Sequence, residues 1–479
     1  MQNLGASMDN NKKFKVVIVG GSIAGLTLAH CLSKFGIDYV VLEKRREIAP
    51  QEGASVGIMP NGGRVLEQLG LFDDVERAIE PLSVAQLVYP DGFCSESEYP
   101  KKLCERFGFP LAFLDRQMLL ESLYANLPDI TRVKTNSAVI AVEHEDDRVR
   151  VLTTDNCSYE GHLVVGADGI HSTIRKEMWR AASSLHQGQV EDTNSMMNIT
   201  YACVYGISSA HPLLKPGQQI TCFNDGWSIL SVVGKNGRTF WFLFLKLERE
   251  YKYNEAPKYT KEDAIANCDR LSAHTFWDTV TFGDVWSRRE VFTMTPLEEG
   301  VFEQWSCGRI VCIGDSMHKF APNIGQGANC AIEDAGELAN ALARIFNDRE
   351  KGDGFKPSTP DLSNMLEQFQ GKRISRIKAL YKVARLAIRL QARDGLAMTL
   401  MGRYVMPYLG DKVADWASRD IADGAILEFL PPPERSGSGW QKYSQKSKKS
   451  NTPFILAVLA GLGFLLTMFK QQWEYHQDS

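Results

Sequence analysis

The chain has 479 residues, of which 44% are hydrophobic and 23% charged, with a formal net charge of −4. That composition argues against a disordered, collagenous or multi-span membrane protein, and the balanced charge offers no basic field to a nucleic acid. Ten cysteines are scattered from Cys31 to Cys330 without a CxxC pair, so they read as reduced, mostly buried thiols rather than a disulfide framework or a zinc site. Length alone predicts about three compact units.

The first residues, Met1 to Lys15, are polar and lack the apolar stretch of a secretory signal. Phe14 to Val19 is a short β-branched run, the pattern of a buried parallel strand. It enters Gly20-Gly-Ser-Ile-Ala-Gly25, after which Leu26, Leu28, Ala29 and Leu32 follow at helical spacing up to Gly36. A second apolar run, Tyr39 to Leu42, ends at Glu43. Strand, glycine turn, helix, strand and terminal acid form the βαβ dinucleotide unit. Gly20 permits the tight turn and Gly25 lets the helix approach the strand. The helix N-terminus can then hold a pyrophosphate, and Glu43 can accept hydrogen bonds from a ribose. Ser22 stands where the fingerprint has its middle glycine.

Further along, Tyr89-Pro-Asp-Gly-Phe93 is a turn between strands. Asp115 reads as an N-cap and Arg116 as a solvated first-turn residue of a helix that turns Leu119, Leu120, Leu123 and Leu127 inward. Leu163 to Val165 is a short buried strand leading into Gly166-Ala-Asp-Gly-Ile-His-Ser-Thr-Ile-Arg175. Asn198 to Ile207, Gln219 to Phe223, Trp227 to Val233 and Thr239 to Leu247 read as strands, with Tyr201 and Tyr205 on one face. Arg309 to Ile313 is another buried strand, followed by Gly314-Asp315 and the glycine-rich Ala321 to Asn329. A helical pattern starts at Gly327. An acid after a strand end can hold ribose or ribitol hydroxyls, and a glycine-rich turn can bring amides against a ring or a phosphate. His318, between them, reads as a hydrogen-bonded structural group. A second GxGxxG, an HExxH, a GxSxG elbow and a Walker A are all missing from the sequence.

Lys372 to Arg393 is basic and amphipathic, suited either to anionic lipid or to packing on the body with its charges in water. Leu396 to Leu409 is apolar, but Arg403 interrupts it and it does not read as a span. Pro431 to Pro433 and Ser436 to Gly439 read as a linker. Beyond it, Pro453 to Phe469 is seventeen residues without a charge. At about 1.5 Å per residue it reaches roughly 25 Å, the lower limit for a bilayer core. Trp440 and Trp473 flank it, Lys442, Lys446, Lys448 and Lys449 precede it, and Lys470, Glu474 and Asp478 come after it. The positive-inside bias then leaves the large N-terminal part in the cytosol.

Taken together and in this order, GGSIAGL, GADGIHSTIR and GDSMHKFAPNIGQGANCAIEDA resemble the group A flavin-dependent aromatic hydroxylase and epoxidase superfamily, over roughly Phe14 to Leu342. The resemblance implies an α/β fold: a discontinuous Rossmann-like FAD-binding domain (14–190 and 301–345) with an inserted β-sheet substrate domain (191–300). A polar tail (1–13), C-terminal helices (346–430), the linker (431–452) and a transmembrane helix (453–469) complete it. It implies FAD as the tightly held cofactor and NADPH as a transient reductant. Glu43 would bind the adenosine ribose and Asp315 the ribityl chain, with Gly325 to Ala328 under the flavin. Ala54-Ser-Val-Gly57 matches a family loop that brings Gly57 to FAD, and Arg116 matches the arginine that reaches the cofactor. Asp168 and Arg175 match a motif tied to FAD packing and NADPH use. Serine at position 22 is familiar among fungal members.

TYACVYGIS, around Tyr201, resembles fungal paxilline-type, meroterpenoid and indole-diterpene epoxidases, where the matching tyrosine is the candidate catalytic residue. The resemblance thus implies an FAD monooxygenase that uses NADPH and O2 to epoxidise an olefin of a prenylated intermediate. Its partners would be a lipophilic small-molecule substrate, a membrane, and a terpene cyclase that takes the product; the expected location is the endoplasmic reticulum membrane. The alternatives are an aromatic-ring hydroxylase of a polyketide, a prenyl-chain reductase, and a flavin-binding membrane scaffold without turnover.

Overall fold

The computed structural model describes residues 14–52, 55–145, 147–185, 196–347 and 356–444. The polar tail 1–13, Ala54 and the apolar run Pro453 to Phe469 lie outside them. Among the described residues no helix is long and apolar enough to cross a membrane.

Strand Lys15–Val19 is the centre of a six-stranded sheet. Its neighbours are Asp38–Leu42 and then Val133–Lys134 on one side, and Leu163–Gly166, Ile310–Cys312 and Ser306–Cys307 on the other. All pairings are parallel except the last. The apolar runs are buried on both faces, which is why they lack alternation. Helices Ile23–Phe35 and Gly327–Phe346 pack on each other, and Thr173–Leu185 packs on the Leu163 and Ile310 strands.

The second layer is an eight-stranded sheet in the order His318–Lys319, Arg289–Val301, Asn198–Ser208, Thr239–Lys252, Trp227–Val233, Gln218–Asn224, Val84–Val88 and Cys94–Ser97. Alternation divides its side chains. Val204, Trp241 and Leu243 enter one core, whereas Tyr201, Cys203, Phe240 and Phe242 enter another with Phe113, Ala321 and Ile388. The sheet departs from the linear division of the chain at 190/191. Val84–Val88 and Cys94–Ser97, joined by the turn at Tyr89 to Phe93, complete the sheet from within the first FAD-binding stretch. The strand Arg289–Val301 had no reading in the sequence, because Pro296 and the charges at both ends mask its pattern.

Two C-terminal expectations resolve differently. The basic helix starts earlier than its charge pattern, at Thr359, behind a Ser358/Asp361 capping box, and runs to Gln391. Ile377, Leu380, Ala384 and Ile388 face the core and Arg373 is only 3% exposed, so this helix packs on the body. The supposed linker is also docked, as far as Ser444. A Cβ on Gly437 would stand 2.0 Å from the Arg106 carbonyl oxygen. Trp440 donates from Nε1 to the Phe107 carbonyl (3.0 Å) under the Arg64 guanidinium (4.0 Å), and Tyr443 donates to Asp415 (2.8 Å). Glycine here gives close approach rather than freedom. Trp440 therefore anchors this segment to the protein.

Candidate cofactor and acceptor site

A cavity of about 680 Å³ opens where the parallel strands end at their carboxyl termini, the usual crevice of such sheets. Its first wall is the glycine turn. Gly20 has φ 111°, and a Cβ on Gly25 would lie 1.9 Å from the Gly20 carbonyl oxygen, so helix and strand meet only without a side chain there. The helix from Ile23 has no side-chain cap and no acid in its first turn, leaving its amides and dipole for an anion. Glu43 closes the unit by accepting from the Gly21 amide (2.7 Å) and the Arg45 amide (2.9 Å). Ser22, in place of glycine, accepts a hydrogen bond from Arg116 (2.8 Å) and so links the turn to the Arg116 helix. Burial lowers the pKa of the Arg116 guanidinium, although Glu52, 3.6 Å away, opposes the shift. Asp115 sits at the N-cap position but does not cap: both its oxygens are held by Arg238 (2.9 and 2.8 Å).

The opposite wall is the Gly314 to Asn329 segment. Asp315 receives Lys319 Nζ at 2.9 Å. Burial would raise the Asp315 pKa, but the Lys319 ammonium outweighs it and holds the carboxyl below its ordinary value. The same pairing lifts Lys319 to about 12. Gly325 takes a left-handed φ of 64° just before the helix from Gly327, whose first turn again lacks a side-chain cap and an acid. Asn329 ties the site together. It donates to the Gly57 and Gly325 carbonyls (2.9 and 2.8 Å) and accepts from the Met59 amide (3.0 Å).

Gly20, Glu43, Gly57, Arg116, Asp315 and Ala328 all line this one cavity, although they are scattered along the chain. Gly25 stands behind the lining as a packing position. Asp168 caps the Thr173 helix, accepting from the Thr173 and Ile174 amides (2.7 and 3.1 Å). Arg175 is fully buried and donates to the Ser316 and Ile170 carbonyls (2.5 and 2.7 Å), bracing the Asp315 loop from behind. His318 is buried on Asp334 (2.7 Å), which also accepts from the Gly314 amide (2.9 Å) and Arg373 (2.7 Å).

Sequence reading missed Asn329, Lys319, Arg238 and the Asp334–Arg373 pair. A polar Asn and two acids on the buried face of an otherwise apolar helix were the available signal, since buried polar groups need partners.

Phe113, Tyr205 and Phe242, with ring centroids 6.4 and 6.5 Å apart around Phe242, form an aromatic group in the cavity lining, to which Phe320, Pro296 and Leu297 also contribute apolar surface. Tyr201 shares the strand face of Tyr205 but does not line the cavity. It is 1% exposed and its hydroxyl donates to Asp394 (3.0 Å), which also receives Lys246 (2.6 Å). Burial, with Asp394 adding to it, raises the pKa of the Tyr201 phenol.

The cavity has the form of a site for a long, anionic, ring-bearing ligand: two uncapped helix starts, acids at two strand ends and open space above Gly327. A Cβ on Gly327 would meet nothing within 4 Å. Gly327→Leu is therefore expected to leave apoprotein stability within about 1 kcal/mol of wild type. Flavin affinity should fall at least about tenfold, or 1.4 kcal/mol. Titration of apoprotein with FAD checks this, and unchanged affinity would remove Gly327 from the ligand surface.

Comparisons with known proteins agree with this geometry. Residues 13–357 match the family model described as FAD binding domain. The chain is 53% identical over 461 residues to the FAD-dependent monooxygenase pyr5 of Aspergillus fumigatus, covering 95% of this chain and 98% of that protein. It is 44% identical over 464 residues to the FAD-dependent monooxygenase paxM of Penicillium paxilli, covering 96% and 97%. Among solved structures it is similar to Klebsiella pneumoniae HpxO complexed with FAD and uric acid, with a TM-score of 0.71 at 22% identity, covering 86% of this chain and 97% of that one. That last similarity is one of fold.

Proposed function

The chain belongs to the FAD-binding domain family and is an FAD-dependent monooxygenase, and from that premise we propose that it epoxidises an olefin of a prenylated secondary metabolite. In balance, NADPH, a proton, O2 and the alkene become NADP+, water and the epoxide. Bound FAD would supply the redox chemistry between NADPH and O2 that makes one oxygen electrophilic. The amides of Ser22 and Ile23, at the uncapped helix start, would hold its pyrophosphate, Glu43 its adenosine ribose, Asp315 its ribityl hydroxyls, and Gly57, Arg116 and Ala328 the remainder. The chain's own task is then to exclude water and to orient the acceptor.

The observation that carries this reading is the aromatic group in the cavity. Phe113, Tyr205 and Phe242 give the cavity an aromatic group among its polar lining residues, suited to an electron-rich hydrocarbon that offers few hydrogen bonds. The relatives pyr5 and paxM carry the same general activity in their names. The apolar run Pro453 to Phe469 supports anchoring in a membrane, into which a prenylated acceptor partitions.

The test is turnover of prenylated aromatic acceptors under 18O2 with NADPH. The expected product carries one 18O atom as an epoxide by NMR. A phenol would favour ring hydroxylation, a gain of two hydrogens a reductase, and FAD binding without acceptor-stimulated NADPH oxidation a scaffold.

In this reading Tyr201 is a positioning residue beneath the acceptor. Tyr201→Phe removes the donor to Asp394 and is expected to cost about 1 kcal/mol of stability. It should raise KM for the acceptor while kcat and flavin reduction hold. A large loss of kcat at unchanged KM would instead put the hydroxyl on the reacting atoms.

A further inference from the structure

The segment after the long helix is apolar all round, yet it lies on the surface. The inner face of Leu396–Tyr404 is accounted for. Met401 joins Tyr89, Phe223 and Leu390 in a small core, with Met398, Val405 and Met406 packed on it, and the Tyr89 hydroxyl donates to the Gly402 carbonyl (2.6 Å). Its outer face is apolar as well. Leu396 is 75% exposed, Tyr404 53% and Tyr408 68%, with partly exposed Leu400 one turn from both Leu396 and Tyr404. Leu396, Leu400 and Tyr404 form an i, i+4 stripe on the helix, and Tyr408, in the short turn Met406–Tyr408 beyond it, is exposed beside Phe93, its ring 6.4 Å away.

Arg403 is the only charged residue between Leu396 and Leu409, and it turns toward the body, 2.8 Å from Asp91 and 3.7 Å from the centre of the Phe93 ring. A helix that is hydrophobic all round calls for an apolar medium on each side. The protein supplies one.

The path of the chain identifies the other. Tyr408 leads directly into helix Lys412–Ala422, and the docked helix Gly439–Ser444 packs on that helix through the Tyr443–Asp415 hydrogen bond. The described chain therefore ends at Ser444 on the same corner of the molecule as the apolar stripe. Only Gln445 to Thr452 separate Ser444 from Pro453, where the uncharged run begins, and they include Lys446, Lys448 and Lys449. Even fully extended, that connection reaches no more than roughly 30 Å. Two exposed tyrosines, Tyr404 and Tyr408, and lysines between them and the run, are the side chains that a membrane interface favours.

We propose that the outer face of Leu396 to Tyr408 is a lipid-contact surface that lies in the membrane interface beside the anchoring run. The proposal rests on the membrane reading of Pro453 to Phe469. It adds that the catalytic body itself touches the bilayer, through a helix that starts two residues after Asp394, the hydrogen-bond partner of Tyr201. Lipid contact would then adjoin the acceptor end of the fold.

The test uses the full chain carrying Leu396→p-benzoylphenylalanine or Tyr408→p-benzoylphenylalanine, bound to phosphatidylcholine–phosphatidylserine vesicles. The same photoreactive group at Leu213 or Ile140, exposed hydrophobics elsewhere on the body, gives the control. Flotation measures anchoring separately, and flavin absorbance confirms that each variant is folded. The expected result is flotation of every variant, with lipid cross-links at positions 396 and 408 several-fold above those at 213 and 140. Flotation with equal cross-linking at all four positions overturns the lipid-contact surface and leaves the anchor standing. Cross-links to a second copy, or to the chain's own C-terminal residues, also overturn it by showing a protein occupant. A chain that does not float overturns both readings.

Discussion

Replacing Arg373 by methionine is expected to destabilise the protein by about 3–5 kcal/mol at neutral pH, the scale for removing one partner from a buried ion pair. Arg373 is 3% exposed, and it reaches Glu333 at 2.5 Å and Asp334 at 2.7 Å, both with fully buried side chains. Burial alone would raise the pKa of each acid. Arg376 and Arg373 outweigh it at Glu333, and Arg373 and His318 outweigh it at Asp334, so that both fall to about 2. Without Arg373, Glu333 keeps Arg376 and Asn61, whereas Asp334 keeps the Gly314 amide and the His318 ring and no arginine.

The pH dependence has a definite sign. Carboxyls whose folded pKa lies below the unfolded value contribute stability above the unfolded value, and lose it as pH falls through the folded one. The gap between wild type and Arg373→Met should therefore be full near neutrality and narrow between about pH 4.5 and pH 2. Urea unfolding across that range measures it. A gap below about 1 kcal/mol at pH 7 would mean that the network does not hold the fold together. Flavin affinity should fall as well, because Asp334 accepts from the Gly314 amide and so sets the loop that carries Asp315.

Gly25→Ala is the second large effect. Its Cβ would stand 1.9 Å from the Gly20 carbonyl oxygen and 3.2 Å from Ile18, so helix Ile23–Phe35 must move off the sheet. Overpacking of this kind costs about 1–3 kcal/mol in stability. The greater loss should be in cofactor binding, since the same displacement moves the first-turn amides. FAD affinity is expected to fall on the order of 100-fold, or about 2.7 kcal/mol. Titration of refolded apoprotein followed by flavin fluorescence measures it. Affinity within a few-fold of wild type would show that the turn tolerates displacement and that the pyrophosphate is held elsewhere.

The cofactor half of the site was legible in the sequence because its signals are local. A glycine that must lack a Cβ, an acid at a strand end and a helix start that must stay uncapped each sit within a few residues of a recognisable strand. The acceptor half was far less legible. Tyr201 and Tyr205 are equivalent by strand period, and the sequence offers no measure of depth along the strand. In the folded protein Tyr205 reaches the cavity while Tyr201 lies below it, bonded to Asp394. Arg238 and Lys319 were overlooked for a related reason. A surface-type residue gains meaning only from a partner such as Asp115 or Asp315.

The C-terminal third shows the same division. Proline, glycine and serine at 431 to 439 carry the composition of a free linker, yet Gly437 and Gly439 press against Arg106 and Trp440 just after them bonds to Phe107. The basic helix allowed lipid or protein as its neighbour, and the buried acids of the Gly327 helix decided for protein.

By itself the sequence determined that this chain builds a parallel α/β dinucleotide site, and that a long uncharged run comes after its folded body. Those properties depend on backbone sterics and on hydrophobic runs, which are written residue by residue. Tertiary structure alone decided which buried acids are paired, which tyrosine meets the cavity, and which apolar side chains are exposed among the described residues. Each of those depends on desolvation and pairing between segments far apart in the chain, and no local pattern encodes them.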